Sequence, residues 1–297
     1  MSNMRLPEVR GEYRHNFNLA PITWFKVGGE AEILYKPEDI EDLQFFLKSL
    51  DKSVPITILG NCSNVIIRDG GIEGVVIKLG RNFAKIEQRD DGVYSGSGAL
   101  NSSLSIFAMQ NSIRNLEFLT GIPGSVGGGI RMNAGAYGFE FKDTIKSFRA
   151  IDRGGEIKEF NASDVGFGYR ECSLPKELIF IDAIFKSELG ELNNIKEKMN
   201  QINEQRSNTQ PIKEKTGGSS FANPEGYKAW QLIDEAGLRG YKIGGAEFSS
   251  KHCNFMINTG DASAKDLEEL GELAIEKVKK MHNVDLKWEI KRIGKYG

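Results

Sequence analysis

The sequence is poor in the residues that build metal sites and disulfide frameworks. Its 297 residues include three cysteines and three histidines, and no Cys-x-x-Cys or closely spaced histidine pair occurs. Structural zinc sites and disulfide-stapled folds need clusters of these residues. The sequence therefore predicts a chain that binds no metal and keeps its cysteines reduced.

Neither a charge excess nor a long apolar run is present. The 39 Lys and Arg residues face 41 Asp and Glu residues, which gives a formal net charge of −2. Nucleic acids and anionic membranes call for a basic excess. No apolar run approaches the roughly 18 residues of a membrane span, and the first residues lack the apolar core of a secretory signal. We expect a cytoplasmic protein without nucleic-acid or membrane partners, and a monomer.

Three signatures of familiar nucleotide-binding and hydrolytic enzymes are missing as well. The glycine-rich segment 121–138 has no Gly-x-Gly-x-x-Gly after a strand and no Gly-Lys-Ser/Thr, which argues against a Rossmann site and a P-loop. No Gly-x-Ser-x-Gly elbow occurs, so a hydrolase triad is not supported. A nucleotide cofactor of this chain must be bound in another way.

Glycine is abundant, with 34 residues. Seven of them fall within 121–138, where Ile122, Val126, Ile130 and Met132 indicate an ordered, buried segment. Glycine costs conformational entropy on folding, but it lets the backbone approach a ligand closely. We interpret this segment as ligand-contacting; the alternative is a flexible loop.

Hydrophobic periodicity predicts alternating strands and helices over the first two thirds of the chain. We expect strands at 31–36, 55–59, 75–79, 93–98, 146–152 and 178–185. We expect helices at 37–50, 101–112 and 191–206, the second of them capped by Asn101 or Ser102. Residues 1–20 have the composition of an irregular surface arm.

The last third follows a pattern of its own. Residues 207–219 are rich in turn formers and charge, as in a linker or mobile loop. Beyond them we expect a helix at 225–236 opened by Asn223-Pro224, a strand at 253–258, a long helix begun by a Ser263–Asp266 capping box, and a strand at 284–293. The long helix has one apolar face, formed by Leu267, Leu270, Leu273, Ala274 and Val278. The mixture of strands and helices indicates α/β units.

Two segments of the first two thirds are candidates for binding anions. Gly60 to Asn64 follows an apolar strand and has the composition of a backbone anion cradle, although ordinary turns share it. Arg170 lies next to Tyr169, and its guanidinium fork suits a carboxylate or a phosphate. A surface arginine paired with Glu171 explains the same residues.

The last third contains two further candidates. Ser219 and Ser220 follow two glycines, which suits either a presented hydroxyl or a loop that leads into a helix. Glu289 lies between two lysines on one face of the final predicted strand. A solvated glutamate and a functional acid both fit that pattern.

The order of these segments along the chain is more specific than any one segment. The series runs TWFKVGG at 23–29, LGNCSN at 59–64, GIPGSVGG at 121–128, MNAGAYG at 132–138, YR at 169–170, GSSF at 218–221, KHCNF at 251–255 and Glu289. It resembles the UDP-N-acetylenolpyruvoylglucosamine reductase family from about residue 20 to 294. The long tyrosine-bearing insertion of one subclass is not apparent, so the chain resembles the shorter subclass.

The resemblance implies an α+β fold with a two-lobed FAD-binding domain of the PCMH/VAO type and not a Rossmann domain. It implies an N-terminal arm at 1–20, an FAD-binding domain at 21–190 with lobes at about 21–85 and 86–190, and an α/β substrate-binding domain at 191–297. The implied FAD contacts are Trp24, Val27, Gly28, Gly60, Asn61, Cys62, Ser63, Asn64, Gly121, Ile122, Pro123, Gly124, Ser125, Gly127, Gly128, Asn133, Ala134, Gly135 and Tyr137.

The implied reaction is the NADPH- and FAD-dependent reduction of the enolpyruvyl ether of UDP-N-acetylglucosamine to UDP-N-acetylmuramate, a step of peptidoglycan synthesis. Such a step serves cell-wall biogenesis, cell shape and cell division. By motif position, Arg170 and Glu289 would stabilise the enolate that forms, and Ser219 would deliver the proton. The implied substrate contacts are Tyr169, Asn223 and Arg206.

Three features depart from the family pattern or depend on its register. Cys62 stands where the family usually has glycine, so a Cβ atom must find room beside the pyrophosphate. Cys172 stands where serine is common. Ser219 is preferred to the adjacent Ser220 because of its spacing from Phe221 and from Asn223.

Two other functions fit parts of the sequence. One is an FAD-linked oxidase of a sugar or alcohol on the same cofactor fold, against which the Arg170, Ser219 and Glu289 set argues. The other is a nucleotide-sugar-binding protein that has lost its flavin, which Cys62 keeps open. Oxygen consumption and bound flavin, respectively, distinguish them from the reductase.

Overall fold

The computed structural model describes residues 5–297, and residues 1–4 of the expected arm lie outside them. Its strands are β1 (Glu12–Asn18), β2 (Glu30–Lys36), β3 (Ile56–Leu59), β4 (Val65–Ile67), β5 (Ile72–Lys78), β6 (Ile86–Arg89), β7 (Gly92–Gly96), β8 (Ile113–Arg114), β9 (Gly135–Ala136), β10 (Phe139–Glu140), β11 (Ile145–Ile151), β12 (Ile157–Asn161), β13 (Phe167–Gly168), β14 (Glu171–Cys172), β15 (Ile179–Phe185), β16 (Glu188–Leu189), β17 (Lys242–Ile243), β18 (Ala246–Phe248), β19 (Met256–Asn258) and β20 (Lys291–Ile293). Its α-helices are α1 (Ile40–Ser49), α2 (Asn101–Gln110), α3 (Val126–Arg131), α4 (Phe141–Thr144), α5 (Leu192–Thr209), α6 (Ala229–Glu235) and α7 (Ala264–His282). The six strands predicted in the first two thirds are confirmed to within a few residues.

The chain forms two compact units, and neither is one continuous stretch of sequence. The first comprises the residues up to His15 together with 33–61 and 74–204. The second comprises 16–32, 62–73 and 205–297. Each unit has a buried apolar core of its own.

The larger core of the first unit lies on a five-stranded antiparallel sheet with the order β12-β11-β15-β7-β6. Six of the seven residues of β15 are buried, as expected for a strand inside the sheet. Helices α2 and α3 add Leu104, Val126 and Ile130 to this core, where they join Phe148 and Phe185. Each such buried side chain stabilises the fold by about 1.5–3 kcal/mol. The packing fixes α3, which is part of the glycine-rich segment.

A second core of the first unit lies beneath α1. The helix follows Asp39, whose carboxylate accepts the Asp42 N–H at 2.8 Å. Its residues Leu43, Phe46 and Leu47 are buried. Strands β3 and β5 run parallel within a sheet of order β1-β2-β5-β3, so their carboxyl ends meet at one edge. The turn after β3 therefore lies beside the end of β5.

The second unit is organised around α7. The predicted face of Leu267, Leu270, Ala274 and Val278 is buried, whereas Leu273 is only partly so. The helix packs on β17 and β18 of an antiparallel sheet with the order β17-β18-β19. In the same unit β20 pairs in parallel with β4.

The start of α7 confirms the predicted capping box. Ser263 Oγ accepts the Asp266 N–H at 3.0 Å, and the Asp266 carboxylate accepts the Ser263 N–H at 3.0 Å. Asp69 adds a second cap, because its two carboxylate oxygens accept the N–H groups of Ala264 and Lys265 at 3.0 and 3.1 Å. These bonds satisfy N–H groups that have no partner inside the helix.

The expected irregular arm is wrong for residues 12–18, which form β1 at the edge of a sheet. Polar side chains disguise this strand, because an edge strand can face solvent with most of its residues. Tyr13 anchors it by packing on Tyr35 and Phe46, with ring centroids 5.1 and 6.2 Å apart.

One predicted helix cap and one predicted helix start are wrong, although α2 does begin at Asn101 as expected. Helix α2 is capped by neither Asn101 nor Ser102; the preceding residue is Leu100, and the Asn101 side chain donates to the Ile122 carbonyl at 3.2 Å. The helix expected at 225–236 begins only at Ala229, because the Asn223 side chain reaches forward and accepts the Ala229 N–H at 3.0 Å.

Two predicted extended segments also differ. The strand expected at 284–293 is confined to Lys291–Ile293, where β4 supplies a partner, and the strand expected at 253–258 to Met256–Asn258. The linker expected at 207–219 is packed instead: α5 runs to Thr209, Thr216 is buried, and isolated bridges pair Lys215 with Asn258 and Ser219 with Phe255.

Two absences hold for residues 5–297. No helix in this range is both long and apolar enough to cross a membrane. No group of three or more His, Cys, Asp or Glu side chains within it is arranged to hold a metal ion.

Candidate active site

In the first unit the turn after β3 meets the start of α3. A Cβ atom on Gly60 would lie 2.8 Å from Ser125 Oγ, closer than real Cβ contacts allow. The same oxygen would lie 3.5 Å from a Cβ on Gly128. Two separate sequence motifs therefore come together here, and backbone lies at close range on both sides.

Lys78 also lies at this turn, although none of the sequence motifs includes it. It ends β5 opposite Leu59, the last residue of the parallel strand β3. Its ammonium donates to the Gly60 carbonyl at 2.5 Å. A positive charge thus lies on the predicted anion-binding turn, where strand pairing and not sequence spacing has put it.

The glycines of α3 have different environments. Gly127 donates its N–H to the Ser97 carbonyl at 2.9 Å, and the Ser97 hydroxyl is buried without a hydrogen-bond partner among residues 5–297. A Cβ on Gly129 would lie 2.1 Å from the Phe141 ring, so this glycine is required by packing. Gly128 is exposed, and its backbone is the one open to a ligand.

The rest of the glycine-rich segment is tied down by backbone and ring contacts. The Asn101 side chain holds Ile122, and the Asn101 N–H donates to the Gly124 carbonyl at 3.1 Å. The Tyr137 ring covers Gly121, where a Cβ would lie 2.4 Å from it. The segment is ordered and packed, in agreement with the sequence.

Asn133 and Arg170 link this segment to the β13–β14 hairpin. Asn133 is fully buried; its Nδ2 donates to the Gly168 carbonyl at 2.9 Å and to Glu140, and its Oδ1 accepts the Lys142 N–H. Its side chain is thereby used within the protein. Arg170 is half-buried in the two-residue hairpin turn at φ +54° and donates to the Gly135 carbonyl at 2.8 Å.

The charge of Arg170 is felt by a neighbouring acid. Burial acts to raise the pKa of Glu140, but hydrogen bonds from Lys142 and Asn133, together with the charges of Lys142 and Arg170, outweigh it and lower the pKa below its usual value. Tyr169 is 59% exposed, with its ring 5.0 Å from the guanidinium carbon of Arg170. An exposed aromatic beside a half-buried cation suits a ligand that carries a carboxylate.

In the second unit the 23–29 segment lies against Cys62. The Trp24 N–H donates to the Cys62 carbonyl at 3.2 Å, and Val27 is buried. Gly28 has φ +133°, and a Cβ there would meet Ile67 at 3.0 Å. Two predicted cofactor segments therefore meet in this unit.

The backbone conformation of Cys62 explains why glycine suits this position. It is 6% exposed and has φ +51°, in the left-handed region. Glycine adopts that conformation freely, whereas a Cβ costs about 1 kcal/mol. The turn keeps the glycine conformation, and the cysteine bears the strain.

The 218–221 segment separates the two candidate serines. Ser220 is fully buried, and its Oγ accepts the Met256 N–H at 3.3 Å. Ser219 is half-exposed and pairs with Phe255 through a bridge. Gly218 precedes them at φ +85°. A hydroxyl that must reach a ligand is therefore available at Ser219 and not at Ser220.

Glu289 is fixed by two neighbours of the same unit. Its N–H donates to the Ser220 carbonyl at 2.9 Å, and its carbonyl accepts the Asn64 Nδ2 at 3.3 Å. The side chain is half-buried. Ser219, Glu289 and Asn64, which are far apart in the sequence, are thus brought together.

The remaining candidates make local contacts or are buried. Asn223 uses its oxygen to hold Ala229, as described above. Arg206 lies in the last turn of α5 and donates to Gln210 Oε1 at 3.3 Å. Cys172 is buried. Burial raises the pKa of Cys253 to about 11, so this thiol is not a nucleophile at neutral pH.

Two family models match the chain. One describes an FAD binding domain and covers residues 31–161; the other describes the C-terminal domain of UDP-N-acetylenolpyruvoylglucosamine reductase and covers 210–293. The fold and these matches define an FAD-dependent oxidoreductase with a VAO/PCMH-type cofactor domain. The predicted α+β fold class with a PCMH/VAO-type FAD-binding domain is confirmed.

Relatives identify the family more closely. The chain is 58% identical to the UDP-N-acetylenolpyruvoylglucosamine reductase of Rickettsia akari over 98% of its length and 99% of the relative, and 57% identical to that of Rickettsia felis over the same shares. The crystal structure of the Thermus caldophilus reductase superimposes with a TM-score of 0.83 at 32% identity, covering 97% of this chain and 100% of the other. The chain belongs to the UDP-N-acetylenolpyruvoylglucosamine reductase family.

Family membership confirms the predicted cofactors, FAD and NADPH. The geometry of the first unit fits the FAD pyrophosphate. The exposed backbone at Gly128, the close packing at Gly60 and the ammonium of Lys78 suit a diphosphate, which binds to backbone N–H groups and to positive charge.

Proposed function

We propose that this protein reduces the enolpyruvyl ether of UDP-N-acetylglucosamine to UDP-N-acetylmuramate with NADPH as the reductant, in the cytoplasm and for peptidoglycan synthesis. The observation that carries the proposal is the backbone pairing of the Ser219 segment with Glu289 in the second unit. An accessible hydroxyl and an accessible carboxyl group are what this reduction requires beyond its cofactors. Through that synthesis the enzyme serves cell shape and cell division.

When bound, FAD would supply the redox chemistry of a hydride transfer between NADPH and the methylene carbon of the substrate. Arg170 binds the substrate carboxylate, whose oxygens gain charge as the enolate develops. Glu289 orients that carboxylate, and the Ser219 hydroxyl gives its proton to the adjacent carbon. The half-exposed states of all three side chains support these roles.

We also propose a division of labour along the chain. Residues 21–190 bind FAD in two lobes, and residues 191–297 form the domain that binds the UDP-sugar. The individual substrate contacts are Tyr169, Asn223 and Arg206. The remaining FAD contacts are those predicted from the motifs, from Trp24 to Tyr137. The active protein is a monomer.

The test is an anaerobic visible spectrum of the purified protein, recorded before and after NADPH and then after the enolpyruvyl UDP-sugar. The flavin band should bleach with NADPH and return with the sugar. Return only on admission of oxygen, with the sugar without effect, would support an oxidase. A colourless protein that takes up no added FAD would rule out the proposed reaction.

A further inference from the structure

Asn254 is a buried polar residue that the roles above do not use. It is 4% exposed. Its Oδ1 accepts the Phe221 N–H at 3.0 Å, and its Nδ2 donates to the Phe221 carbonyl at 2.8 Å. Its own carbonyl accepts the Ser220 N–H at 2.7 Å. Three hydrogen bonds from one residue therefore hold the backbone that directly follows Ser219.

The Ser220–Phe221 backbone also holds the segment that contains Glu289. The Ser220 carbonyl accepts the Glu289 N–H at 2.9 Å, and Phe221 forms an antiparallel bridge with Trp288, with ring centroids 4.9 Å apart. A displacement of Phe221 would therefore shift the backbone of both Ser219 and Glu289.

Only some side chains can do what Asn254 does. Satisfying the N–H and the C=O of one buried residue takes one acceptor and one donor in a planar arrangement, which a primary amide offers. An ionised carboxylate offers acceptors alone and would face the Phe221 carbonyl with like charge. A neutral carboxylic acid has both groups again.

We propose that Asn254 is a positioning residue that sets Ser219 relative to Glu289 for proton delivery. It acts through the backbone of Phe221 and does not touch the substrate. The inference rests on the proposed function, because it gives Ser219 and Glu289 the roles assigned there.

The test compares the two half-reactions of the Asn254→Asp variant by stopped flow. At pH 8, reduction of its bound flavin by NADPH should stay within about twofold of wild type. Reoxidation by the enolpyruvyl UDP-sugar, measured per bound flavin, should slow by about a hundredfold, the usual effect of a misplaced catalytic group. As the pH falls, protonation restores the donor, so the reoxidation rate relative to wild type should recover.

Asn258→Asp is the matched control. Asn258 is 3% exposed; its Nδ2 donates to the Phe25 carbonyl at 2.8 Å, and its Oδ1 accepts the N–H groups of Gly260 and Ala262. This variant loses a bond of the same kind in the same unit. Its melting temperature should fall as in Asn254→Asp, whereas its reoxidation rate per flavin should stay within about twofold of wild type.

Asn254→Ala covers the case in which the aspartate variant does not retain flavin, and it should show the same selective loss without recovery at low pH. Wild-type reoxidation at every pH in the Asn254 variants would overturn the inference, as would equal losses in the Asn254 and Asn258 variants. If the sugar fails to reoxidise the wild-type flavin, the proposed function itself fails, and the inference fails with it.

Discussion

Lys78 places a single positive charge at the proposed FAD site of the first unit. The ammonium of Lys78 contacts the Gly60 carbonyl, beside the open backbone of Gly128. A cation at this point would neutralise part of the charge of a diphosphate. Its contribution depends on ionic strength, because it lies near the surface.

Replacing Lys78 with methionine should therefore weaken FAD binding. A hydrogen bond to a charged group is worth about 1.5–3 kcal/mol, so the dissociation constant should rise by about tenfold or more at low salt. Fluorescence titration of the apoprotein with FAD measures this effect. Lys85→Met, which removes an exposed lysine paired with Glu87, should leave the constant unchanged. Equal losses in both variants would contradict the role of Lys78.

Asp42 is a second residue with a decisive local role. Burial acts to raise its pKa, but hydrogen bonds from Tyr35 and from the N–H groups of Glu38, Arg10 and Gly11 outweigh it, so the pKa lies below its ordinary value. A lowered pKa in the folded state stabilises the protein fully above the unfolded pKa of about 3.9. That stabilisation is lost as the pH falls through the folded-state pKa.

The Asp42→Asn variant should follow this sign. At pH 7 its free energy of unfolding should be about 2 kcal/mol below wild type, because buried N–H groups lose a charged acceptor. Below about pH 4 the difference should shrink, since wild-type Asp42 becomes protonated. Urea unfolding at pH 7, 5 and 3 measures it. A difference that is constant over this range would contradict the assignment.

Residues that act through distant partners could not be predicted from the sequence. Ser219 and Glu289 were found through motif order, but their mutual placement depends on Ser220 and on bonds that span about 70 residues. Lys78 belongs to no motif and is placed by strand pairing, and Asn254 lies in the 251–255 motif, but its hydrogen bonds to Phe221 cannot be read from that motif. Asn133 was predicted as a cofactor contact; its buried amide bonds to protein groups, and the prediction awaits a direct test.

At the scale of elements, α3 separates two uses of glycine within a few residues. Gly129 makes room for the Phe141 ring, whereas Gly128 faces open space apart from Ser125 Oγ. Composition alone gives both glycines the same meaning. Their surroundings assign Gly129 to packing and leave Gly128 open for the proposed cofactor contact.

The variants Gly129→Ala and Gly128→Ala should therefore fail in different ways. The first overpacks a core, so its free energy of unfolding should fall by about 1–3 kcal/mol or more. The second should leave the apoprotein as stable as wild type but lower its FAD content, because a methyl group would occupy the open backbone. Melting curves without FAD and flavin absorbance per protein chain read out the two effects. Normal flavin content in Gly128→Ala would remove this glycine from the site.

Helix α7 has some features that depend on residues near in sequence and one that depends on a distant residue. Its capping box and apolar face lie within a short stretch of sequence, and both were predicted. The Asp69 cap comes from 195 residues away and could not be seen. The final strand was predicted too long for the same reason, because strand length depends on where a partner such as β4 ends.

For the whole molecule, FAD binding should appear as stability. A ligand that binds only the folded state at a hundred times its dissociation constant stabilises it by about 2.7 kcal/mol, and the melting temperature should rise by several degrees. FMN lacks the diphosphate bridge to adenosine and should raise it less. Differential scanning fluorimetry with each flavin measures this. Equal shifts would contradict the placement of a pyrophosphate at the Gly60 turn.

The fold class was predictable because the family resemblance rests on a long series of motifs in a fixed order, which is very unlikely to arise by chance. The polar edge strand β1 was not, because its side chains carry no apolar alternation. The two compact units interleave along the chain, since the short segments 16–32 and 62–73 belong with the C-terminal residues.

That interleaved order bears on how the protein is made. Residues 62–73 leave the ribosome long before the 205–297 segment that completes their unit. At a synthesis rate of about 5–20 residues per second, the complete 205–297 segment follows them after roughly 11 to 45 seconds. The second unit is therefore finished only once translation is nearly complete, and a nascent chain halted before residue 205 would expose its unfinished core to chaperones and proteases.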